Sequence, residues 1–276
     1  MSVNKLIAMA LMGLGLISTA QASDQPVYDR VMKTQEIRCG YAEYPPFMMI
    51  DPNTKQPSGL FKDMWEQIGR KLDLKIKWET IVGWGEITAA INSGKVDAFC
   101  LAIWPDPGRS KNMLLSRAVF YSPIYLYGRA DDKRFDGDYD ILNNVQYTLT
   151  GMEGTALASV LETRFPKAKT AHIGPADPPS LVLMNVVSKK GDVTVVDASF
   201  VADFNKKNPG KIKRVAGPPV QVMQNVIPFA VGETQLKNMV DTVLTDFIND
   251  GTIASLLKNS HATESYAPSP DVMIGK

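Results

Sequence analysis

Apolar residues recur along this chain with two different periods, and the alternation between those periods predicts an α/β protein. Leu60, Met64, Ile68 and Leu72 fall on every fourth position, which places them on one face of a helix over Leu60–Leu72. Residues 36–41, 74–78 and 94–103 read as strands, and residues 86–92 as a second helix halted near Gly94. The first half therefore runs strand, helix, strand, helix, strand, the order of a mainly parallel sheet covered by helices. Residues 121–129 are extended and aromatic, and the polar run 130–138 reads as a surface connection. A second unit follows: strand 147–150, loop 151–154, a helix capped by Thr155 and carrying Leu157, Val160, Leu161 and Phe165, helix 181–188, strand 191–197 and helix 199–206. Residues 222–231 are apolar again. Leu236, Val240, Val243, Leu244 and Phe247 then mark a helix over 234–250 that Gly251 ends, before a last helix at 252–258. This closing segment is too small to stand alone, so it is expected to pack back on one of the two sheets. The tail from His261, with Pro268 and Pro270, reads as loosely ordered.

The N-terminus changes the picture of where the chain works. Lys5 precedes an apolar run from Leu6 to Ile17, and Ala20-Gln21-Ala22 has the small-residue pattern of a cleavage site, so residues 1–22 read as a secretory signal. The run is shorter than the roughly 20 residues that a membrane helix needs. No cysteine stands at the cleavage site, so no lipid anchor is expected and the mature protein is expected to diffuse in a periplasm. Lys plus Arg (30) almost balances Asp plus Glu (29) over 276 residues, with no long basic run, which excludes a nucleic-acid surface or an anionic-membrane patch. A small or locally charged partner is expected, with the protein a monomer.

Cys39 and Cys100 both lie in apolar, strand-like segments. Export to an oxidising compartment would allow one disulfide, but a bridge directly between neighbouring strands demands uncommon side-chain geometry, which favours two buried thiols. Two distant cysteines with His172 and His261 give no zinc-type spacing, so neither a metal nor another cofactor is expected.

The candidate chemistry sits at two strand ends. Residues 94–103 lead through Trp104-Pro105-Asp106-Pro107-Gly108 to Arg109, and residues 191–197 end on Asp197. A cation beyond one strand and an anion closing another would together grip a small zwitterion between two halves. Plainer readings stand beside this one: Arg109 as a surface arginine after a turn, Asp197 and Thr155 as helix caps, and Tyr44 and Trp84 as core aromatics.

The order of segments resembles the bacterial extracellular solute-binding proteins of family 3, the polar amino-acid receptors of ABC importers. The anchors are Cys39-Gly40 to Phe47, Gly59 with Asp63, Gly83-Trp84-Gly85-Glu86, Gly94-Lys95-Val96-Asp97, Pro107-Gly108-Arg109, Gly154-Thr155, Gly191 to Asp197, and Asn249-Asp250-Gly251-Thr252. The resemblance implies a two-lobe, type II periplasmic-binding-protein fold with a two-strand hinge near 124–129 and 222–231. Residues 23–126 and 226–276 would form lobe 1, and residues 127–225 lobe 2. It further implies that Arg109 holds a ligand α-carboxylate, that Gly154 and Thr155 complete that clamp at a helix N-terminus, that Asp197 takes the α-ammonium, and that Tyr44 and Trp84 flank the side chain. An inner-membrane ABC permease would be the partner.

The chain departs from the pattern at three places. Ala102 and Trp104 stand where small hydroxyl residues usually precede the arginine turn, and Phe61 replaces an acid, which would alter the lobe surface. Trp104 would either donate its indole N–H to a carboxylate or narrow the pocket, which leaves open an amino-acid derivative or another small carboxylate as ligand. Two other readings stand beside it: exported cyclohexadienyl or arogenate dehydratases, which share the fold and for which Glu43 and Glu153 are the candidate acids, and a sensor or accessory protein that passes ligand occupancy to a membrane partner. Neither a Gly-x-Ser-x-Gly nor a His-Glu-x-x-His motif is present.

Overall fold

The computed structural model describes residues 26–174, 177, 178, 180–260, 266 and 267, with Ser199 described in its backbone alone. The signal segment expected at 1–22 lies outside the described residues, as do His261, Pro268 and Pro270 of the tail.

In chain order the first part comprises α1 (Val27–Thr34), β1 (Glu36–Tyr41), β2 (Met49–Ile50), β3 (Pro57–Ser58), α2 (Leu60–Leu72), β4 (Lys75–Ile81), α3 (Ile87–Asn92), β5 (Ala98–Phe99), α4 (Pro107–Ser110) and β6 (Leu114–Ile124). Next come β7 (Leu126–Arg129), β8 (Thr148–Thr150), α5 (Ala156–Arg164), β9 (Lys169–Thr170), α6 (Ser180–Val187), β10 (Val193–Val195), α7 (Ala198–Lys207) and β11 (Ile212–Arg214). The chain closes with β12 (Gln221–Phe229), α8 (Thr234–Asn249) and α9 (Thr252–Asn259).

Among the described residues these strands build two five-stranded sheets, ordered β4-β1-β5-β12-β6 and β11-β7-β10-β8-β9, beside a small β2-β3 hairpin. In each large sheet four strands run one way. The strand that opposes them is the one arriving from the other sheet, β12 in the first and β7 in the second. The sheets are joined twice. β6 passes through Tyr125 into β7, and the chain returns from β11 through residues 215–220 into β12. The return crossing thus lies ahead of Val222, which is already paired with Pro123 in the β6 ladder.

The first sheet shares one core with α2, α8 and α9; Trp65, Ile68, Leu236, Val240, Leu244 and Leu257 are almost fully buried in it. The closing helices therefore do pack back on the first sheet. The second sheet is covered on both faces: Leu161 and Phe165 of the α5 region pack on one, and Leu183, Val186 and Phe204 of α6 and α7 on the other. Burial on both sides explains why its short strands read as continuous apolar runs.

Three expectations are corrected by packing. Residues 94–97 form a turn, and only Ala98–Phe99 joins the ladder. Asp97 in that turn is fully buried, accepting from Arg38 N at 2.6 Å and pairing with the Arg38 and Arg30 guanidiniums. Cys39 and Cys100 form a disulfide. Cys39 pairs with Ala98 across the ladder, and Cys100 stands just past the end of β5, so the bridge is diagonal and avoids the direct cross-strand position that argued against it. Phe61 is not on the lobe surface: it is fully buried between Phe47 and Phe120, with ring centroids 6.2 and 6.0 Å away.

Candidate functional site

In open α/β sheets ligands gather beyond the carboxyl ends of the strands, where loops leave for opposite faces. All the expected site residues follow such ends. β1 runs out into the loop carrying Tyr44, which is folded tightly by Phe47 N and Met48 N donating to Tyr44 O at 2.8 and 2.9 Å. Phe47 and Met48, both fully buried, anchor it. Gly59 (φ +111°) lies so close that a Cβ there would sit 2.7 Å from Phe47 O, so this approach requires glycine. β4 leads to Trp84, β5 to Trp104 and Arg109, β8 to Gly154 and Thr155, and β10 to Asp197.

Six of the seven, Tyr44, Trp84, Trp104, Arg109, Thr155 and Asp197, line one cavity of about 540 Å³ between the two sheets. Gly154 does not line it. Its positive φ of +72° turns the chain into Thr155, which starts α5. The remaining wall is largely apolar, with Ile103, Met152, Leu157, Val182, Val196 and Phe200 facing in. Trp84 stands edge-on to Tyr44 and Phe99, each 5.6 Å away, and remains 43% exposed.

One charged position on the wall is Arg109. Asp106 caps the short α4 by accepting from Arg109 N at 2.9 Å, with Pro107 at the first helical position, where its missing N–H costs nothing. The Arg109 Nε is 3.2 Å from Asp106 Oδ2, and its Nη1 donates to Trp104 O at 3.3 Å. The guanidinium is thus aimed by two short contacts while its side chain stays 40% exposed. The buried Nε1 of Trp104 has no acceptor among the described residues. Thr155 Oγ1 donates to Met152 O at 2.7 Å and accepts from Ala158 N at 3.2 Å, so the hydroxyl is occupied as a helix cap. What this position turns toward an anion is the first-turn backbone N–H groups of α5.

The Asp197 part of the wall is buried. Asp197 is 6% exposed, and its Oδ2 accepts from Tyr44 OH at 3.1 Å and from Tyr266 OH at 2.8 Å. Burial first, then the nearby charge of Asp197, push the Tyr44 hydroxyl well above its ordinary pKa; burial, Tyr44 and Asp197 do the same to Tyr266. Tyr127, on β7, is pushed up to about 12 by burial and then by Asp197. Tyr266 was not legible as a site residue. Within the segment expected to be loosely ordered, the two described residues are held: Tyr266 is 5% exposed, packs edge-on against Phe47 at 4.7 Å and Phe120 at 5.5 Å, and Ala267 exchanges backbone hydrogen bonds with Tyr121 at 2.7 and 3.0 Å. Asp106 was also passed over, although an Asp-Pro at a helix start is a recognisable cap.

The two candidate acids for catalysis part company. Glu43 lines the cavity at an exposed position, whereas Glu153 is exposed and outside it. Among the described residues no group of three or more His, Cys, Asp or Glu could hold a metal ion, and no helix is long and apolar enough to cross a membrane.

Two α/β sheets joined by two crossing strands, with a cavity at the facing strand ends, make this a two-lobe type II periplasmic-binding-protein fold. The ancestral amino acid-binding protein AncCDT-1, a precursor of cyclohexadienyl dehydratase, superposes with a TM-score of 0.66 at 22% identity over 85% of this chain and 99% of its own. An amino acid ABC transporter substrate-binding protein from Streptococcus pneumoniae, solved bound to L-arginine, gives a TM-score of 0.64 at 18% identity, covering 86% of this chain and 98% of that one. In sequence, the amino-acid-binding protein AabA of Dichelobacter nodosus is 23% identical over 219 residues, 79% of this chain and 84% of its own length. The profile of the bacterial extracellular solute-binding proteins, family 3, matches residues 37–261, and the chain belongs to that family.

Proposed function

We propose that this protein is a periplasmic receptor that captures an amino acid or related small carboxylate between its lobes and delivers it to an inner-membrane ABC permease. The observation that carries the reading is the placement of Arg109 and Asp197 on the walls of one cavity to which both sheets contribute. Arg109 would hold the ligand carboxylate with paired charge-assisted bonds, assisted by the α5 N-terminus, while Trp84 and Tyr44 flank the body of the ligand. Residues 23–126 with 226–276, and residues 127–225, would close as two bodies, and the permease would read the closed form of a monomer. The relatives named above, which bind amino acids, support this reading. Dehydratase chemistry needs a general acid or base within reach of the substrate. With Glu153 outside the cavity and Glu43 at its exposed rim, binding without turnover is the simpler account.

The test is a thermal-shift screen of the purified mature protein against amino acids and small carboxylates, since a ligand that binds the native state must stabilise it. At least one compound is expected to raise the melting temperature, and Arg109→Ala to abolish that rise while the unliganded melt is kept. No shift with any compound, or turnover of prephenate or arogenate, would overturn the reading.

A further inference from the structure

We infer that Asn225 is a ligand-binding residue whose amide carbonyl accepts an N–H from the α-ammonium of the bound amino acid. The inference rests on the receptor reading and deepens it. Asn225 stands in β12, the strand that returns from the second sheet to the first, and its neighbours Met223, Val226, Ile227 and Phe229 are buried apolar residues. Asparagine is disfavoured in such a strand, so its presence asks for a use. Asn225 is 3% exposed, yet it lines the cavity.

The amide is fixed from behind. Its Nδ2 donates to Ser122 Oγ at 2.6 Å and to Phe120 O at 3.5 Å, both on β6. A backbone carbonyl can only accept, so the nitrogen belongs on the β6 side, and these two bonds use both of its N–H groups. Among the described residues no donor reaches Oδ1. An amide oxygen at a buried position is costly to leave without a donor, and the space that Asn225 borders is the cavity. The β6–β12 register shifts between Asn225 and Val226, the kind of irregularity that re-aims a side chain beside a site.

At that shift β12 also meets the turn that carries Arg109. Val226 and Ile103 exchange backbone hydrogen bonds at 2.8 and 2.9 Å, and the next residue, Trp104, is the one whose carbonyl accepts from Arg109 Nη1. The α-ammonium of an amino acid is one carbon away from its carboxylate, so a ligand anchored at Arg109 keeps this donor on the same part of the wall. Other neutral groups there do not serve it: Ala102, 4% exposed, offers only a methyl, and the Thr155 hydroxyl is used as a cap. An ammonium has three N–H donors, so Asn225 need not be its sole acceptor.

The experiment is calorimetry on the full mature chain. The probes are L-lysine, 6-aminohexanoate, which lacks the α-ammonium, and L-norleucine, which lacks the side-chain ammonium, with L-phenylalanine and hydrocinnamate as an apolar pair. Any further common L-amino acid that raises the melting temperature is paired with its deaminated acid in the same way. The wild type is expected to bind each amino acid at least about tenfold more tightly than its deaminated counterpart. Asn225→Leu, of similar volume, is expected to lose about tenfold of that preference, the worth of one hydrogen bond to a charged group. Asn225→Ser, which keeps a polar group in the strand but withdraws the carbonyl, is expected to do the same and serves if Asn225→Leu does not fold. Ser122→Ala breaks only the support behind the amide and is expected to keep most of the preference.

A preference unchanged in the folded Asn225 variants, a Ser122→Ala variant that loses as much of it as they do, or a wild type that does not prefer the amino acids would overturn the inference and leave the receptor reading standing. So would a loss confined to the ratio of L-lysine to L-norleucine, which would move the contact to the side-chain nitrogen. Absence of binding by every probe and by the other common amino acids would overturn the receptor reading itself, and the inference with it.

Discussion

The two charged positions on the cavity wall, Arg109 and Asp197, are built on opposite principles. Arg109 is half exposed and aimed by neighbours in its own turn, Asp106 and the Trp104 carbonyl. Asp197 is buried and gripped by residues far away in sequence, Tyr44 and Tyr266, both of which pack on the first sheet's core. A cation that stays wet and pre-aimed suits capture, because little has to be rearranged when an anion arrives. A carboxylate held by hydroxyls from the other sheet joins the two halves, so its hydrogen bonds belong to the fold as much as to the site. Arg109 should therefore govern affinity and Asp197 stability.

The largest effect that would break this contrast is on binding. Arg109→Ala should weaken carboxylate binding by about 100-fold, given that truncating one partner of a hydrogen-bonded charge pair costs about 2–5 kcal/mol. Its denaturation midpoint should hardly move, since the ion pair to Asp106 is exposed. Calorimetry beside urea melts checks both halves, and a strongly destabilised variant would erase the distinction. By contrast, Asp197→Ala strands two buried hydroxyls and should cost about 2–4 kcal/mol of stability. Small-angle scattering should also find the unliganded variant more open; an unchanged melt and unchanged dimensions would contradict the role given to Asp197.

The alkaline limb sharpens the same comparison. Tyr44 and Tyr266 have folded pKa values raised well above the unfolded one, so between the two values the native state holds more protons than the unfolded chain. Their contribution is complete below the ordinary tyrosine pKa of about 10 and is lost as pH rises beyond it. Stability of the wild type should therefore fall above that point, and Tyr44→Phe/Tyr266→Phe should flatten the fall; parallel curves for the two proteins would refute this. The smallest effect is at Thr155. Its hydroxyl is used as a cap, so Thr155→Ala should cost about 1 kcal/mol of stability and weaken binding far less than Arg109→Ala.

How much was legible follows from how local the physics is. Arg109 and Thr155 stood out because turn and cap chemistry is written within a few residues, Trp104 only through the family's pattern ahead of the arginine turn, and Leu60–Leu72 because its period is unambiguous over thirteen residues. Residues 94–103 misled because a continuous apolar run does not reveal where a ladder begins, and Asp97 is buried by pairing with Arg38 and Arg30 instead of by a strand position. The cysteine bridge turned on a one-residue offset past β5 that periodicity cannot resolve. Helix α1 carries a single buried residue, Val31, and is held from afar by Glu233, whose carboxylate accepts from Val27 N and Tyr28 N at 2.8 and 3.0 Å. Tyr266 left no local trace because its role exists only through contacts with Asp197, Phe47 and Phe120.

The double crossing between the sheets has a thermodynamic consequence. Only Tyr125 separates β6 from β7, and Arg214 of the returning chain stacks over its ring at 4.3 Å. A tether this short and stiff holds one wall of the cavity at a high effective concentration relative to the other. A solute caught first by one wall thus meets the second in an intramolecular step, with little orientational entropy left to lose.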